Sequence, residues 1–215
     1  MKKEVVTGEH VRIIFDAARC VHSRECVLSR PDVFVPNVAG DWIHPDRATP
    51  AEIAELAHRC PSGAIRYEPV GESPVERPPI VNTVRVRENG PLAVHAELVV
   101  AGAAAGFRAT LCRCGRSARK PYCDGAHATA AFRATGEPAT QDSSPLPERG
   151  GVLAITAVAD GPLHVQGNLE VVTATGRTAN RVTETWLCRC GHSAHKPYCD
   201  GSHRTAQFRA GGEPA

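Results

Sequence analysis

Six of the nine cysteines stand in two matching spacings, each closed by a histidine: Cys112, Cys114, Cys123 and His127, then Cys188, Cys190, Cys199 and His203. Each set places three sulfurs and one imidazole within 16 residues. Thiolates and neutral imidazole are strong ligands for soft and borderline metals, so four of them on one short loop make a metal site. Gly115 and Gly191, directly after each Cys-x-Cys, supply the backbone freedom to turn both thiolates inward. Asp124-Gly125 and Asp200-Gly201 form a turn that brings the histidine, four residues after the third cysteine, back toward the metal. The other three cysteines, Cys20, Cys26 and Cys60, form a second type of group. Nine is an odd number, and the tight grouping beside histidines favours metal over a disulfide framework. In a reducing cytosol such thiolates persist as ligands.

The elements that must hold these residues are repeated. At an offset of 76, LCRCGRSARKPYCDGAHATAAFRATGEPA from Leu111 matches LCRCGHSAHKPYCDGSHRTAQFRAGGEPA from Leu187 almost continuously. Gly-Pro-Leu precedes each copy, at Gly90 and Gly161, and leads a strand-like run that includes Glu97–Val100 or Leu169–Val172. The segment 139–151, rich in Pro, Ser and Gly, reads as a solvated connector, and the prolines of Gly71–Pro79 mark a second boundary. Three modules are expected, 1–70, 80–138 and 151–215. In the first, Val11–Phe15 reads as a strand. Thr49-Pro50-Ala51-Glu52 is a capping box with proline at the first helical position, so a helix with Ile53, Leu56 and Ala57 on its apolar face delivers Cys60. Ala64–Glu68 reads as a following strand.

The pattern C-x-C-x2-S-x3-P-x-C-D-G-[SA]-H resembles the mitoNEET-like CDGSH iron–sulfur family, and both copies match it at every motif position. The resemblance implies one [2Fe–2S] cluster per motif, with two cysteines on one iron and a cysteine plus the histidine on the other. It also implies an internal pseudo-dimer of the two repeats, since family members with one motif commonly pair as homodimers. Ala126 stands where the second copy has Ser202, a change expected to alter hydrogen bonding around the ligands more than ligation itself. A closed Cys3His tetrahedron is also an ordinary structural zinc site, and spacing alone leaves that alternative open. Imidazole in place of thiolate removes negative charge and raises a cluster's potential, while competition from protons weakens retention in mild acid. Lys120, Lys196, Arg113 and Arg189 lie inside the motifs, where a cation could tune the centre; the ordinary expectation for each is a solvated surface charge. His192 and His195, present only in the second copy, read as surface residues.

Cys20-x2-Ser23-x2-Cys26 with a distant Cys60-Pro61 resembles a single-cluster ferredoxin in which serine occupies the middle ligand position. It also fits a divergent ferredoxin-like domain often found with CDGSH modules. Three remaining cysteines imply a [3Fe–4S] cluster, with [4Fe–4S] and a non-cysteine fourth ligand as the alternative. His22 and Ser23 are the candidates for that fourth position, though a neighbour's role beside the ligands is the more ordinary one. The resemblance carries a βαββαβ ferredoxin-like pattern, in which Ala64–Glu68 is the return strand pairing with Val11–Phe15.

With 42% apolar and 5% aromatic residues, the 215-residue chain suits small modules better than one large core. Nineteen Gly and 17 Pro, about one residue in six, favour short strands and tight turns. The fold class expected is therefore α+β and β-rich. A net charge of +2, with no block of like charges, argues against nucleic acid or membrane surfaces as partners. No run of 18 apolar residues and no leader pattern is present, so a cytoplasmic protein is expected. Nucleotide fingerprints and a nucleophile elbow are missing, so the chain reads as no enzyme. Multi-cluster electron transfer to a redox partner of unknown identity is the expected work, in a monomer with an internal pseudo-dimer. Cluster transfer, redox or pH sensing, and a zinc-stabilised interaction module are the rivals.

Overall fold

Val11 and Ile13 turn inward while Arg12 between them is exposed, the period of a half-buried strand. This strand organises the first of two compact units, Met1–Arg77 and Pro78–Ala215, in a computed structural model that describes residues 3–71 and 75–212. The expected boundary segment 71–79 includes residues 72–74, which lie outside the described residues.

In the first unit, β1 (Glu4–Thr7) and β2 (Val11–Phe15) form an antiparallel hairpin, and β3 (Ile65–Pro69) pairs with the other edge of β2. The return strand thus runs from Phe15 opposite Ile65 to Val11 opposite Pro69. Between β2 and β3 come the short α1 (Glu25–Ser29), a 3-10 turn at Pro45–Arg47 and α2 (Pro50–Arg59). Both halves of the capping box at α2 are made: Thr49 Oγ1 accepts from Glu52 N, and the Glu52 carboxylate accepts from Thr49 N at 2.8 Å. Ile53, Leu56 and Ala57 are buried, and Cys60 caps the C-terminal end. The expected βαββαβ order is not what the described residues show. They run β-β-α-α-β, because Gly8-Glu9-His10 closes a hairpin where the ferredoxin pattern would need a helical crossover.

The second unit contains both repeats. The first contributes β4 (Thr83–Val86), β5 (Leu92–Val100) and β6 (Ala103–Leu111); the second contributes β7 (Val152–Ala157), β8 (Leu163–Val172) and β9 (Thr178–Leu187). Within each repeat the three strands are antiparallel neighbours. The repeats are joined by exchange: β4 lies parallel to β8 of the second repeat, and β7 lies parallel to β5 of the first. All six strands thus form a single sheet, and one core runs through Val84, Leu92, Leu98 and Leu111 into Ile155, Leu163, Val171 and Leu187. The connector is mostly exposed yet anchored to the second repeat, with Gln141 N donating to Ala179 O at 2.8 Å and Arg149 Nε to the Glu170 carboxylate at 2.7 Å.

Candidate metal centres

Each motif starts where a central hairpin ends. Leu111, the last residue of β6, bridges Tyr122, and Leu187, the last of β9, bridges Tyr198. The bridge folds the loop back, with Cys112 N donating to Pro121 O at 2.8 Å and Cys123 N to Thr110 O at 2.9 Å. The second motif repeats both bonds at Cys188 and Cys199. Inside the loop Ser117 Oγ donates to Tyr122 O at 2.6 Å, and Ser193 Oγ to Tyr198 O at the same distance. The motif serine is a brace for the loop; its hydroxyl is spent on backbone.

The third cysteine leads into a tight turn. Gly125 and Gly201 take φ of 89° and 87°, in the left-handed region, and start the single-turn helices α3 (Ala126–Thr129) and α4 (Ser202–Thr205). Asp124 Oδ1 accepts from Ala126 N at 3.0 Å and Oδ2 from Ala118 N at 2.8 Å; Asp200 makes the same two bonds with Ser202 and Ala194. Although partial burial raises it, these backbone donors hold the Asp124 carboxyl below its ordinary range. Ser202 Oγ adds a bond of 2.6 Å to Asp200 that Ala126 cannot make. The ligand geometry is unaffected, because the third cysteine's Sγ and the histidine's Nδ1 are 3.4 Å apart in both motifs.

The four donors of each motif fall into two pairs. Cys112 and Cys114 sulfurs are 3.8 Å apart, Cys188 and Cys190 are 3.6 Å apart, and each Cys–His pair is 3.4 Å apart. A tetrahedral metal with bonds of about 2.3 Å to sulfur sets two thiolates about 3.8 Å apart, so each pair spans one edge of one tetrahedral centre. Among the described residues, no three His, Cys, Asp or Glu side chains converge as a single ion would require. The donor set therefore fits an iron–sulfur group, with three soft sulfurs and one imidazole arranged as a Cys–Cys and a Cys–His pair. Backbone N–H groups also point at the sulfurs: Arg116 N at Cys114, Gly125 N at Cys123 and His192 N at Cys190, each at 3.4 Å. Within each Cys–Cys pair the two sulfurs share one proton, and that hydrogen bond holds Cys112 and Cys188 below the usual thiol range. Burial pushes Cys123 up to about 11.

The two loops touch through their backbones. Gly115, at φ 77°, lies so close to the second motif that a Cβ there would meet Cys190 O at 2.3 Å; at Gly191 a Cβ would meet Cys114 O at 2.6 Å. The glycine after each Cys-x-Cys therefore does more than turn the loop, since it also permits contact between repeats. Gly115→Ala is expected to destabilise the second unit by roughly 3 kcal/mol, combining left-handed strain with a backbone clash. Gly125→Ala carries the same φ penalty, but nothing lies within 4 Å of its Cβ. Urea unfolding of the full chain should therefore separate the two variants, with Gly115→Ala the weaker.

Arg113 and Arg189 depart from the expected solvated surface charge: both are buried, and their guanidinium groups donate to backbone carbonyls rather than to sulfur. Arg113 Nε meets Gly90 O at 2.9 Å, and Arg189 Nε meets Gly161 O at 2.8 Å. Lys120 and Lys196 are half-buried, and each donates to the carbonyl of its motif serine, Ser117 or Ser193. His192 and His195 are exposed, as read from the sequence.

In the first unit, Cys20, Cys26 and Cys60 line one cavity of about 320 Å³. Cys20 and Cys26 are only half-buried, so the cavity opens to solvent, and its three thiols give it the soft donors that an inorganic group would use. His22 and Ser23 line the same cavity, and His22 N donates to Cys20 Sγ at 3.4 Å. His22 and Arg24 take φ of 53° and 66°, which wraps the loop around the space. Burial raises the thiols of Cys20 and Cys26, and each is raised further by the nearby Cys60 sulfur. The wall of the cavity is aromatic and apolar, which the sequence alone did not show. Phe15 and Trp42 pack edge to face at 4.9 Å, with Val27, Val35 and Ile65 beside them, and Ser62 Oγ stands 3.7 Å from Cys60 Sγ. Trp42, one of only two tryptophans, was the available signal.

Both units match family descriptions of known proteins. The family described as iron-binding zinc finger, CDGSH type, matches residues 84–128 and 160–204. The family described as divergent 4Fe-4S mono-cluster matches residues 6–69. The uncharacterised proteins YjdI of Escherichia coli K12 and of Escherichia coli O157:H7 are each 37% identical over 62 residues, which is 28% of this chain and 79% of theirs.

Proposed function

Because the chain belongs to the CDGSH iron–sulfur family and carries a divergent 4Fe-4S mono-cluster domain ahead of its two CDGSH motifs, we propose that it is a multi-cluster electron carrier of the cytoplasm. It acts as a carrier rather than as an enzyme. Cys112, Cys114, Cys123 and His127 hold one [2Fe–2S] cluster, Cys188, Cys190, Cys199 and His203 hold another, and Cys20, Cys26 and Cys60 hold a [3Fe–4S] cluster. When bound, these groups supply one-electron redox chemistry. The observation that carries the reading is the division of each motif's donors into a Cys–Cys and a Cys–His pair at tetrahedral separations. That division supports two metal centres per motif over one closed zinc.

The chain's own residues set the terms of exchange. Cys112, Cys114, Cys188 and Cys190 are buried, which shields those sulfurs from water, whereas His127 and His203 are half-exposed and form the edge from which a partner is reached. Backbone donors on the sulfurs favour the more reduced state of each centre. Among the described residues no helix is long and apolar enough to cross a membrane.

Anaerobic purification should yield red-brown protein with about seven irons and about eight sulfides per chain, the sum of two two-iron sites and one three-iron site. Reduced chain mixed with an oxidised ferredoxin should pass electrons while keeping its iron. If the clusters instead move to an apo-ferredoxin within the time of electron exchange, the protein is a cluster donor. A colourless protein containing zinc would end both readings.

A further inference from the structure

Cys60 differs from the other two thiols of the first unit. It is 7% exposed, whereas Cys20 and Cys26 are half-exposed where they line the same cavity. Two residues further on, Ser62 is 3% exposed, and its hydroxyl oxygen lies 3.7 Å from the Cys60 sulfur. The end of α2 delivers the cysteine, and Gly63 N donates to Cys60 O at 3.3 Å to close the turn behind it. Ser62 Oγ in turn accepts from Ala64 N at 3.3 Å. A serine hydroxyl has one hydrogen to give and two lone pairs to receive. The backbone occupies a lone pair, which leaves the hydrogen for the sulfur.

The direction of that bond follows from the chemistry of the ligand. A free thiol could donate to the hydroxyl, but a thiolate bound to iron has no hydrogen, so with metal present Ser62 donates and Cys60 accepts. Hydrogen bonds to ligand sulfurs stabilise the added electron of the reduced state and raise the potential. Burial strengthens the effect, because little water screens the pair. The bond from His22 N to Cys20 Sγ at 3.4 Å comes from the backbone, whereas this one comes from a side chain that a substitution can remove. We propose that Ser62 sets the reduction potential of the first unit's cluster by donating its hydroxyl hydrogen to the Cys60 sulfur. Ser62 acts through Cys60 and is a positioning residue for electron exchange. The inference rests on the reading that Cys20, Cys26 and Cys60 hold a cluster.

The alternative is a brace. The bond from Ala64 N closes a short turn, and a serine needed only for that turn would govern how the loop holds its metal rather than the metal's potential. A redox titration of the full chain, followed by electron paramagnetic resonance, separates the two. An oxidised three-iron cluster is paramagnetic and oxidised [2Fe–2S] clusters are silent, so the oxidised-state signal reports the first unit alone. Ser62→Ala should lower that site's reduction equilibrium at least threefold, about 28 mV for one electron, and leave the iron content and the two CDGSH spectra unchanged. Ser62→Thr, which keeps the hydroxyl, should stay within twofold of wild type. Electron–nuclear double resonance before and after transfer to D2O should show, in wild type and Ser62→Thr, an exchangeable proton coupled to the cluster that Ser62→Ala lacks. An unmoved potential or the same proton couplings in Ser62→Ala would overturn the proposal, as would an equal drop in Ser62→Thr. Loss of iron from Ser62→Ala would make the serine a brace and overturn it too. If wild type holds four irons, the same shift is read on its reduced-state signal. Wild-type protein with no more iron than its two CDGSH motifs hold would instead end the underlying reading.

Discussion

Replacing His203 by cysteine should lower the potential of the second CDGSH centre by on the order of 200 mV and remove its sensitivity to mild acid, and His127→Cys should do the same at the first. Both effects have one cause. A thiolate adds a negative charge where neutral imidazole had none, so accepting an electron becomes harder. Thiolate also removes the group for which protons compete at ordinary acidity. Burial holds His127 below its ordinary value of 6.5, so its neutral, ligating form is favoured in the fold. A depressed histidine contributes stability that is complete above 6.5 and is lost as pH falls through its lowered value in the folded protein. Visible absorbance followed from pH 8 downward should therefore bleach below the ordinary imidazole range, and the double cysteine variant should bleach at lower pH. Unchanged acid loss in the double variant would mean that histidine ligation is not the weak point.

The ligands were legible because they are local. All four donors of a motif lie within 16 residues, and the copy at offset 76 repeats every one. The capping box at Thr49 could be read for a similar reason, since it follows from residue types a few positions apart, whereas the pairing of Val11–Phe15 with the strand after Cys60 came only with the ferredoxin resemblance. What the sequence could not show is pairing over long separations. Nothing in Thr83–Val86 indicates that its second neighbour is Glu170–Val172 rather than another strand of its own repeat. The hairpin partner Glu4–Thr7 was hidden because its positions are mostly exposed and give no alternating pattern. Arg113 and Arg189 were misplaced because arginine is ordinarily a surface residue. The carbonyls that receive them come from turns more than 20 residues away in sequence.

Ser23→Cys should convert the first unit's cluster from three irons to four. Cys20, Cys26 and Cys60 face one cavity with Ser23 on its wall, where a four-cysteine ferredoxin would hold its second ligand. A hydroxyl must deprotonate to bind iron well, and in a sulfide-rich site at neutral pH it competes poorly, so the corner without a thiolate loses its metal. Wild-type protein should then show a paramagnetic signal when oxidised. The variant should gain about one iron per chain, lose that signal, and acquire one on reduction, because a cubane with four thiolates is silent in its oxidised +2 state. The matched family is described by a four-iron cluster, whereas the first unit offers three thiols at its cavity, so the result separates the family pattern from its local departure. His22 is a poor substitute through Nδ1, which lies only 4.0 Å from Cys20 Sγ, close enough to share one iron's edge rather than to serve a separate corner. An intact four-iron cluster in anaerobically prepared wild-type protein would overturn the expectation, and would leave Ser23 or a small exogenous ligand to fill the fourth position.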